Sequence, residues 1–348
     1  MKINVRQAKV EDGPALCRLD SICTQGKSIV FHYQRRDFFT RSRVYDKWAV
    51  FLAEADKGLV GMITACLKKI RIQGKIGTAA YIYDLRVDPA WRGRGIAGRM
   101  IRQLDKYLRK AGVVYAYTYI LNENIVAYRI SRFLGMFDAG QYKILIFPVR
   151  KNNYSILKLE NQEKQRVLKR IEANLVEYDF TEKYSLVRKF NEADAVSPFK
   201  GVFSLKENTK TAVCVYDSSI LAAKIVDKIP FYLRLLDLGG SWLKNILHLP
   251  NLPKKREPLL IWHLFNFWQD NQLYNKSVLL ALLKAMQGYA FKTGIHILMT
   301  HLDVRDPLLP LLKGAAQYII EGKILMRTHV WQEPPPVLKK IFLDVRDF

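Results

Sequence analysis

One stretch constrains the fold of this chain more than any other. A strand-like run, Tyr81-Ile82-Tyr83-Asp84-Leu85-Arg86-Val87, leads to the turn Arg92-Gly93-Arg94-Gly95, after which Ile96, Met100, Leu104, Leu108 and Ala111 recur at helical spacing. Two glycines one residue apart let the backbone turn tightly and present successive N–H groups outward. The following helix aims its unbonded N-terminal amides at the same spot. Asp88-Pro89 ends the strand, because proline donates no ladder hydrogen bond and restrains its neighbour, and Gly112 stops the helix. Strand, glycine turn and helix start in that order make an anion site; the plainer reading of the same letters is an arginine-rich surface turn. A dinucleotide fingerprint requires a different glycine spacing, and a Walker loop ends in Gly-Lys-Ser/Thr. Neither pattern is present.

The run from Leu85 to Ala97 resembles motif A of the GCN5-related N-acetyltransferase (GNAT) superfamily, whose signature is Arg/Gln-x-x-Gly-x-Gly/Ala. Downstream, residues 113–121 read as a strand, 124–136 as a short helix and 142–149 as a strand, and Asn124, Ala127, Gly135 and Met136 resemble motif B. An opening strand at 5–8 and an apolar helix with Leu16, Leu19 and Ile22 extend the likeness over residues 1–150. The resemblance implies acetyl-CoA as cofactor and direct attack by an amine in a ternary complex. It gives Arg92, Gly93, Arg94, Gly95, Ile96 and Ala97 the diphosphate, and the backbone of Leu85, Arg86 and Val87 the pantetheine arm and thioester carbonyl. Arg99 and Arg129 are further candidates for phosphate. Asn124 contacts the pantetheine amides or simply caps its helix. Asp84 stands where many members carry a proton acceptor; the alternative is a carboxylate that pairs with Arg86. Ser131 occupies the place of the family's usual proton-donating tyrosine, and Tyr128, on nearly the same helical face, is either its substitute or pocket wall.

Composition narrows the classes further. The formal charge is +24, of which +15 falls in residues 1–150, so an acidic partner or a polyanionic ligand is expected, or a solvated basic face. Cys17, Cys23, Cys66 and Cys214 form no metal or disulfide framework, and the scattered histidines lack ligand partners, so no metal and a cytoplasmic setting are expected. No apolar run reaches membrane-spanning length, and the first residues lack a signal-peptide core.

The remaining chain is long enough for a second domain. Residues 151–176 read as a polar helical connector, and 177–348 as a degenerate GNAT-like unit: strand, turn and strand over 212–225, a strand at 259–267, a helix at 277–292, a strand at 296–300, a short helix at 307–312 and strands at 323–331 and 339–345. Its loop from Gln269 to Lys276 has no glycine. Pro334-Pro335-Pro336 reads as a stiff connector. The expected fold class is therefore α/β (α+β): two GNAT-like lobes, each a mixed, mostly antiparallel central sheet flanked by helices, a layout similar to plant HOOKLESS-type acetyltransferase-like proteins. Three functions fit: acetylation of a small amine, acetylation of a protein or nucleic acid partner, and acyl-CoA binding without catalysis.

Overall fold

A computed structural model describes residues 3–26, 29–56, 58–182, 197–228, 253–270, 274–329, 336 and 338–348. In chain order the elements are β1 (Asn4–Gln7), α1 (Gly13–Ile22), β2 (Val30–Gln34), β3 (Lys47–Ala55), β4 (Gly58–Ile72), β5 (Lys75–Val87), α2 (Ile96–Lys110), β6 (Tyr115–Leu121), α3 (Ile125–Phe133), β7 (Phe137–Pro148), β8 (Ile156–Leu159), α4 (Asn161–Asn174) and β9 (Thr181–Glu182). They continue with β10 (Phe199–Leu205), β11 (Asn208–Asp217), β12 (Ala223–Lys228), β13 (Pro258–Leu259), β14 (Ile261–Gln269), α5 (Lys276–Lys292), β15 (Ile297–Asp303), α6 (Leu308–Leu312) and β16 (Tyr318–Thr328).

The two halves share one sheet rather than building one each. Its strands run β1-β3-β4-β5-β6-β16-β7-β15-β14-β11-β10-β8, with β9 on β4. The sheet is mixed and mostly antiparallel, as expected; its parallel pairs are β5–β6 and β14–β15. The join is made by β16, which comes from late in the chain yet lies between β6 and β7. A second sheet, β13-β12-β2, pairs an early strand with a late one.

Each half covers both faces of its strands with helices. Along β3, Ala49, Phe51 and Ala53 face α2, whose Ile96, Met100, Leu104 and Leu108 complete that core, while Val50 and Leu52 face Leu16 and Leu19 of α1. This alternation is the period-two pattern of a strand buried on both sides. Gly61 permits the close approach of α2: a Cβ there would meet Met100 Cε at 2.9 Å. In the second half, α5 packs Leu279, Leu282, Leu283 and Met286 on Val213, Val215 and Leu264, and α4 packs Val167, Leu168 and Ile171 on the opposite face with Ala212, Cys214 and Tyr216.

Three local expectations fail. Ile156 and Leu159 belong to an edge strand paired with β10, and the helix after them buries more than a solvated connector would. Residues 212–225 do not fold back as a hairpin, because β12 leaves β11 to pair with β2. Residues 339–345 make no strand beyond an isolated bridge at Ile341; Leu338, Ile341 and Leu343 are buried because they pack into an aromatic cluster, not because they join a ladder. Pro334 and Pro335 lie outside the described residues.

Candidate active site

The site grows out of one irregularity in β5. Its parallel ladder with β6 holds for Ala79–Tyr115, Ala80–Ala116 and Tyr81–Tyr117, then stops, while β6 stays paired along its whole length with β16 on its other edge. Residues 82–87 therefore diverge from β6. On the other edge of β5, Met62 faces Arg86 and Thr64 faces Tyr83, so Asp84 and Leu85 together oppose Ile63. This is a β-bulge, and Asp84 takes φ 51° to make it. Leu85, Arg86 and Val87 thus present backbone to the open side of the splay.

Beyond β5, the Asp88 carboxylate accepts from Ala90 N at 2.8 Å and starts the turn. Arg92 Nε donates to Val87 O at 3.3 Å, and the Arg94 guanidinium lies 4.9 Å from the Trp91 ring centre. Gly93 and Gly95 have φ 78° and 70°, left-handed values that any side chain makes costly. Gly95 is the N-cap of α2 and brings no side chain to its first-turn amides. A Cβ at either glycine would meet open space, so backbone conformation, not crowding, requires glycine here. Ile96 is buried and Ala97 half-buried at the start of the helix. Arg92, Arg99, Arg102 and Arg129 are exposed. The uncapped helix start and the exposed arginines around it make a surface suited to an anion.

Asp84 has charged partners on two sides. Its carboxylate accepts from Arg35 Nη2 at 2.7 Å and from Arg86 Nη2 at 3.3 Å, and Arg35 Nε lies 2.9 Å from Asp20. Arg35, Asp20 and Asp84 are all buried. Burial opposes ionisation of Asp84, but the guanidinium groups of Arg35, Arg86 and Arg41 outweigh it and hold the carboxyl down at about 2. Asp20, across Arg35, is pushed up by burial and by Asp84. Of the two readings of Asp84, the geometry satisfies the pairing one: a carboxylate so held is a weak proton acceptor near neutrality.

The motif B residues lie apart from this network. Asn124 Oδ1 accepts from Ala127 N at 3.1 Å, capping α3. Ser131 is buried at the end of α3, and its carbonyl accepts from Leu134 N and Met136 N. The Tyr128 hydroxyl sits 3.3 Å from Asp138, and Lys323 of β16 lies 4.6 Å from its ring centre.

Sequence reasoning missed a buried aromatic layer beside the splay. Tyr81, Tyr83, Tyr117, Tyr119 and Tyr142 form an aromatic layer under the chain's last residues. Asp347 accepts from Lys68 Nζ at 2.9 Å, Tyr45 at 2.7 Å and Tyr117 at 2.8 Å. Phe348 lies between Tyr119 (4.7 Å) and His301 (3.8 Å). Period-two tyrosines at 115, 117 and 119 were the available signal; nothing local marked Lys68 or Asp347 as their partners.

The second half repeats the irregularity of β5. The parallel ladder of β14 with β15 also holds for three pairs, Ile261–Ile297, Trp262–Leu298 and His263–Met299, and then stops. Ala212 faces Trp268 and Cys214 faces Phe265, so Asn266 and Phe267 oppose Val213 in a second bulge, with Asn266 at φ 51°. Asp84 follows the last paired tyrosine by three residues, as Asn266 follows His263. The helix start differs: Asn275 accepts from Ser277 N at 3.0 Å and Val278 N at 3.3 Å, occupying the amides that Gly95 leaves open. Among the described residues no group of three or more His, Cys, Asp or Glu could hold a metal ion, and no helix is long and apolar enough to cross a membrane.

Comparison with known proteins agrees with this geometry. Residues 16–136 match the acetyltransferase (GNAT) family. The "Probable N-acetyltransferase HLS1" of Arabidopsis thaliana is 24% identical over 168 residues, spanning 42% of this chain and 40% of the relative. Among solved structures, Saccharomyces cerevisiae N-myristoyltransferase with bound myristoyl-CoA superposes with a TM-score of 0.62 at 11% identity, covering 93% of this chain and 82% of that one. A GCN5-related N-acetyltransferase from Kribbella flavida gives a TM-score of 0.50 at 11% identity over 94% and 71%. The structural likenesses show a shared fold, and the match to the acetyltransferase (GNAT) family is confined to residues 16–136.

Proposed function

We propose that the chain is an acyl-CoA-dependent N-acyltransferase, with acetyl-CoA as its cofactor and an amine as acceptor. The observation that carries this reading is the splay of β5 from β6, leading straight to an α2 start that no side chain caps. In this reading the amides of residues 93–97 hold the diphosphate, the exposed arginines bind the remaining phosphate, and the edge of residues 85–87 pairs with the pantetheine arm. The bulge at Asp84 turns backbone N–H groups toward the thioester carbonyl, where developing negative charge needs donors. The neutral amine attacks that carbon; a C–N bond forms, the C–S bond breaks, the amine loses a proton and the thiolate gains one. Asp84, tied to Arg35 and Arg86, holds the bulge, and the amine's proton leaves through water. Tyr128 and Ser131 are the candidate donors to the thiolate, directly or through water.

The hydroxyl of Tyr128 is engaged with Asp138, and Ser131 stands in place of a tyrosine, so acyl-CoA binding with little turnover is the second reading. Likeness to a probable N-acetyltransferase and to N-myristoyltransferase supports acyl transfer in general, and the acceptor remains a small amine or a protein amine. Calorimetric titration with acetyl-CoA tests the proposal: a saturable one-to-one heat is expected, followed by thiol release when amines are added. No heat from well-folded protein overturns both readings; heat without thiol release from any amine selects the second.

A further inference from the structure

Exposed apolar side chains are concentrated at one place, the outer face of α3. Phe133 and Val126, 89% and 70% exposed, are the most exposed large apolar residues among the described ones, and Ile125 of the same helix is 56% exposed. Ile125, Arg129 and Phe133 recur every four residues, with Val126 and Arg132 on either side, so the five make one face. Ala127, Ile130 and Ser131 point the other way and pack inward. The fold does not require this exposure. The corresponding helix of the second half, α6 after β15, buries Leu308, Leu309 and Leu312. Single exposed apolar residues are ordinary, but three on a helix of nine residues make a patch.

The patch continues into a basic surface. Ile130 and Leu134 pack into the same core as Ile101, Leu104 and Leu108 of α2, so the two helices lie side by side on one face of the sheet. Arg327 ties them together: it donates to Leu134 O at 3.1 Å and pairs with Asp105, which also accepts from Arg109 Nε at 3.2 Å. Arg102, Lys106 and Arg109, at i, i+4 and i+7, are exposed along α2, as is Lys110. Together α2 and α3 carry seven arginines and lysines and one acid, Asp105, whose carboxylate two arginines already hold. Asp138, beside α3, is likewise shared by Lys323 at 3.0 Å and Arg132 at 3.9 Å. Protruding apolar side chains therefore stand within a mainly positive surface.

That combination selects the partner. A folded protein needs a shaped recess for a side chain as exposed as Phe133. The headgroup region of a bilayer instead accepts protruding aromatic and aliphatic groups to a depth of about 5–10 Å, and its anionic lipids attract the surrounding cations. Duplex nucleic acid would use the cations and leave Val126 and Phe133 in water. We propose that this face docks on an anionic membrane surface, with Ile125, Val126 and Phe133 entering the headgroup layer and the basic residues of α2 and α3 held at the lipid phosphates and carboxylates. The proposal does not depend on the acyltransferase reading.

The probes are vesicles of phosphatidylcholine alone and of phosphatidylcholine with about 30% phosphatidylserine, in sedimentation assays on the full chain. Expected is binding to the anionic vesicles that weakens about tenfold between roughly 0.1 and 0.5 M NaCl, with little binding to the neutral ones. Val126→Ser/Phe133→Ser should weaken it about tenfold, and Lys106→Gln/Lys110→Gln by a comparable factor. All four positions are exposed, so the melting temperatures of both variants should match that of the unaltered chain. Val10→Ser, at a valine 66% exposed outside the patch, should bind vesicles as the unaltered chain does. No binding to anionic vesicles, equal binding to neutral ones, undiminished binding in either double variant, or an equal loss in Val10→Ser overturns the inference. So does capture of poly-glutamate or duplex DNA in place of the vesicles, which assigns the face to another polyanion.

Discussion

The two splays of this molecule are built alike and finished differently. Each has three parallel pairs, then a bulge with its pivot residue at φ 51°, then a helix on the same face of the sheet. In the first half the pivot is Asp84, fixed by two arginines, and the helix begins at a bare glycine. In the second the pivot is the neutral Asn266, and the helix begins at an asparagine that satisfies its own amides. The backbone plan therefore sets where a slot forms. Two side-chain choices, at the pivot and at the N-cap, set what each slot can hold.

The largest effect is expected at the pivot. Asp84→Asn leaves the buried Arg35 with Asp20 alone and should cost about 3 kcal/mol, read from urea unfolding at pH 7. The acid limb has a definite sign. Because the folded Asp84 is held below its ordinary range, its contribution is present above about pH 4 and is lost as pH falls toward 2. Asp20, pushed up by burial, acts in the opposite direction. The mirror change, Asn266→Asp, places a carboxylate in a cavity with no arginine among its described lining residues and should hold that carboxyl above its ordinary range. That variant should be destabilised at neutral pH and recover relative to wild type as pH falls. A variant pair whose stability responds to pH in the same direction would break the contrast between the pivots.

The next effect concerns the helix starts. Gly95→Asn gives α2 the cap residue of α5, and asparagine tolerates the left-handed backbone better than other side chains. Acetyl-CoA affinity should fall about 10- to 100-fold, roughly 1.4–2.7 kcal/mol in calorimetry, while the circular dichroism spectrum stays unchanged. Undiminished affinity would mean that the diphosphate, if bound, does not use these amides.

Much of the first slot was legible because its signals are local. Glycine spacing, Asp88-Pro89 and the i, i+4 apolar run all lie within a few residues of what they determine, and α2 begins at Ile96 as the spacing predicts. The tie between the halves was not legible. The order β6-β16-β7 pairs Leu121 with Gly322 and Tyr142 with Gly322, contacts about 200 residues apart for the first, and no local pattern encodes such a partner. The same limit hid Arg35 and Lys68, ordinary basic residues in sequence whose acids, Asp84 and Asp347, arrive through the fold. Residues 339–345 misled for a related reason: a short apolar segment reads as a strand whether or not a ladder forms, and here Ile341 and Leu343 are buried by packing against the aromatic layer.

The smallest effect falls on the second helix start and isolates it. Asn275→Ala removes the acceptor for Ser277 N and Val278 N and should cost about 1 kcal/mol of stability, read from the urea midpoint. Acetyl-CoA affinity should not change, since this helix start holds no ligand in the proposed scheme. Asn275→Gly should cost only a few tenths of a kcal/mol, because water can reach the freed amides. It should also show whether an uncapped start is enough for a phosphate site. If the glycine variant gains a second acetyl-CoA per chain, the N-cap alone separates the two lobes. If it gains none, the turn preceding α2, with its paired left-handed glycines and arginines, is needed as well, and the geometry of residues 92–95 favours that outcome.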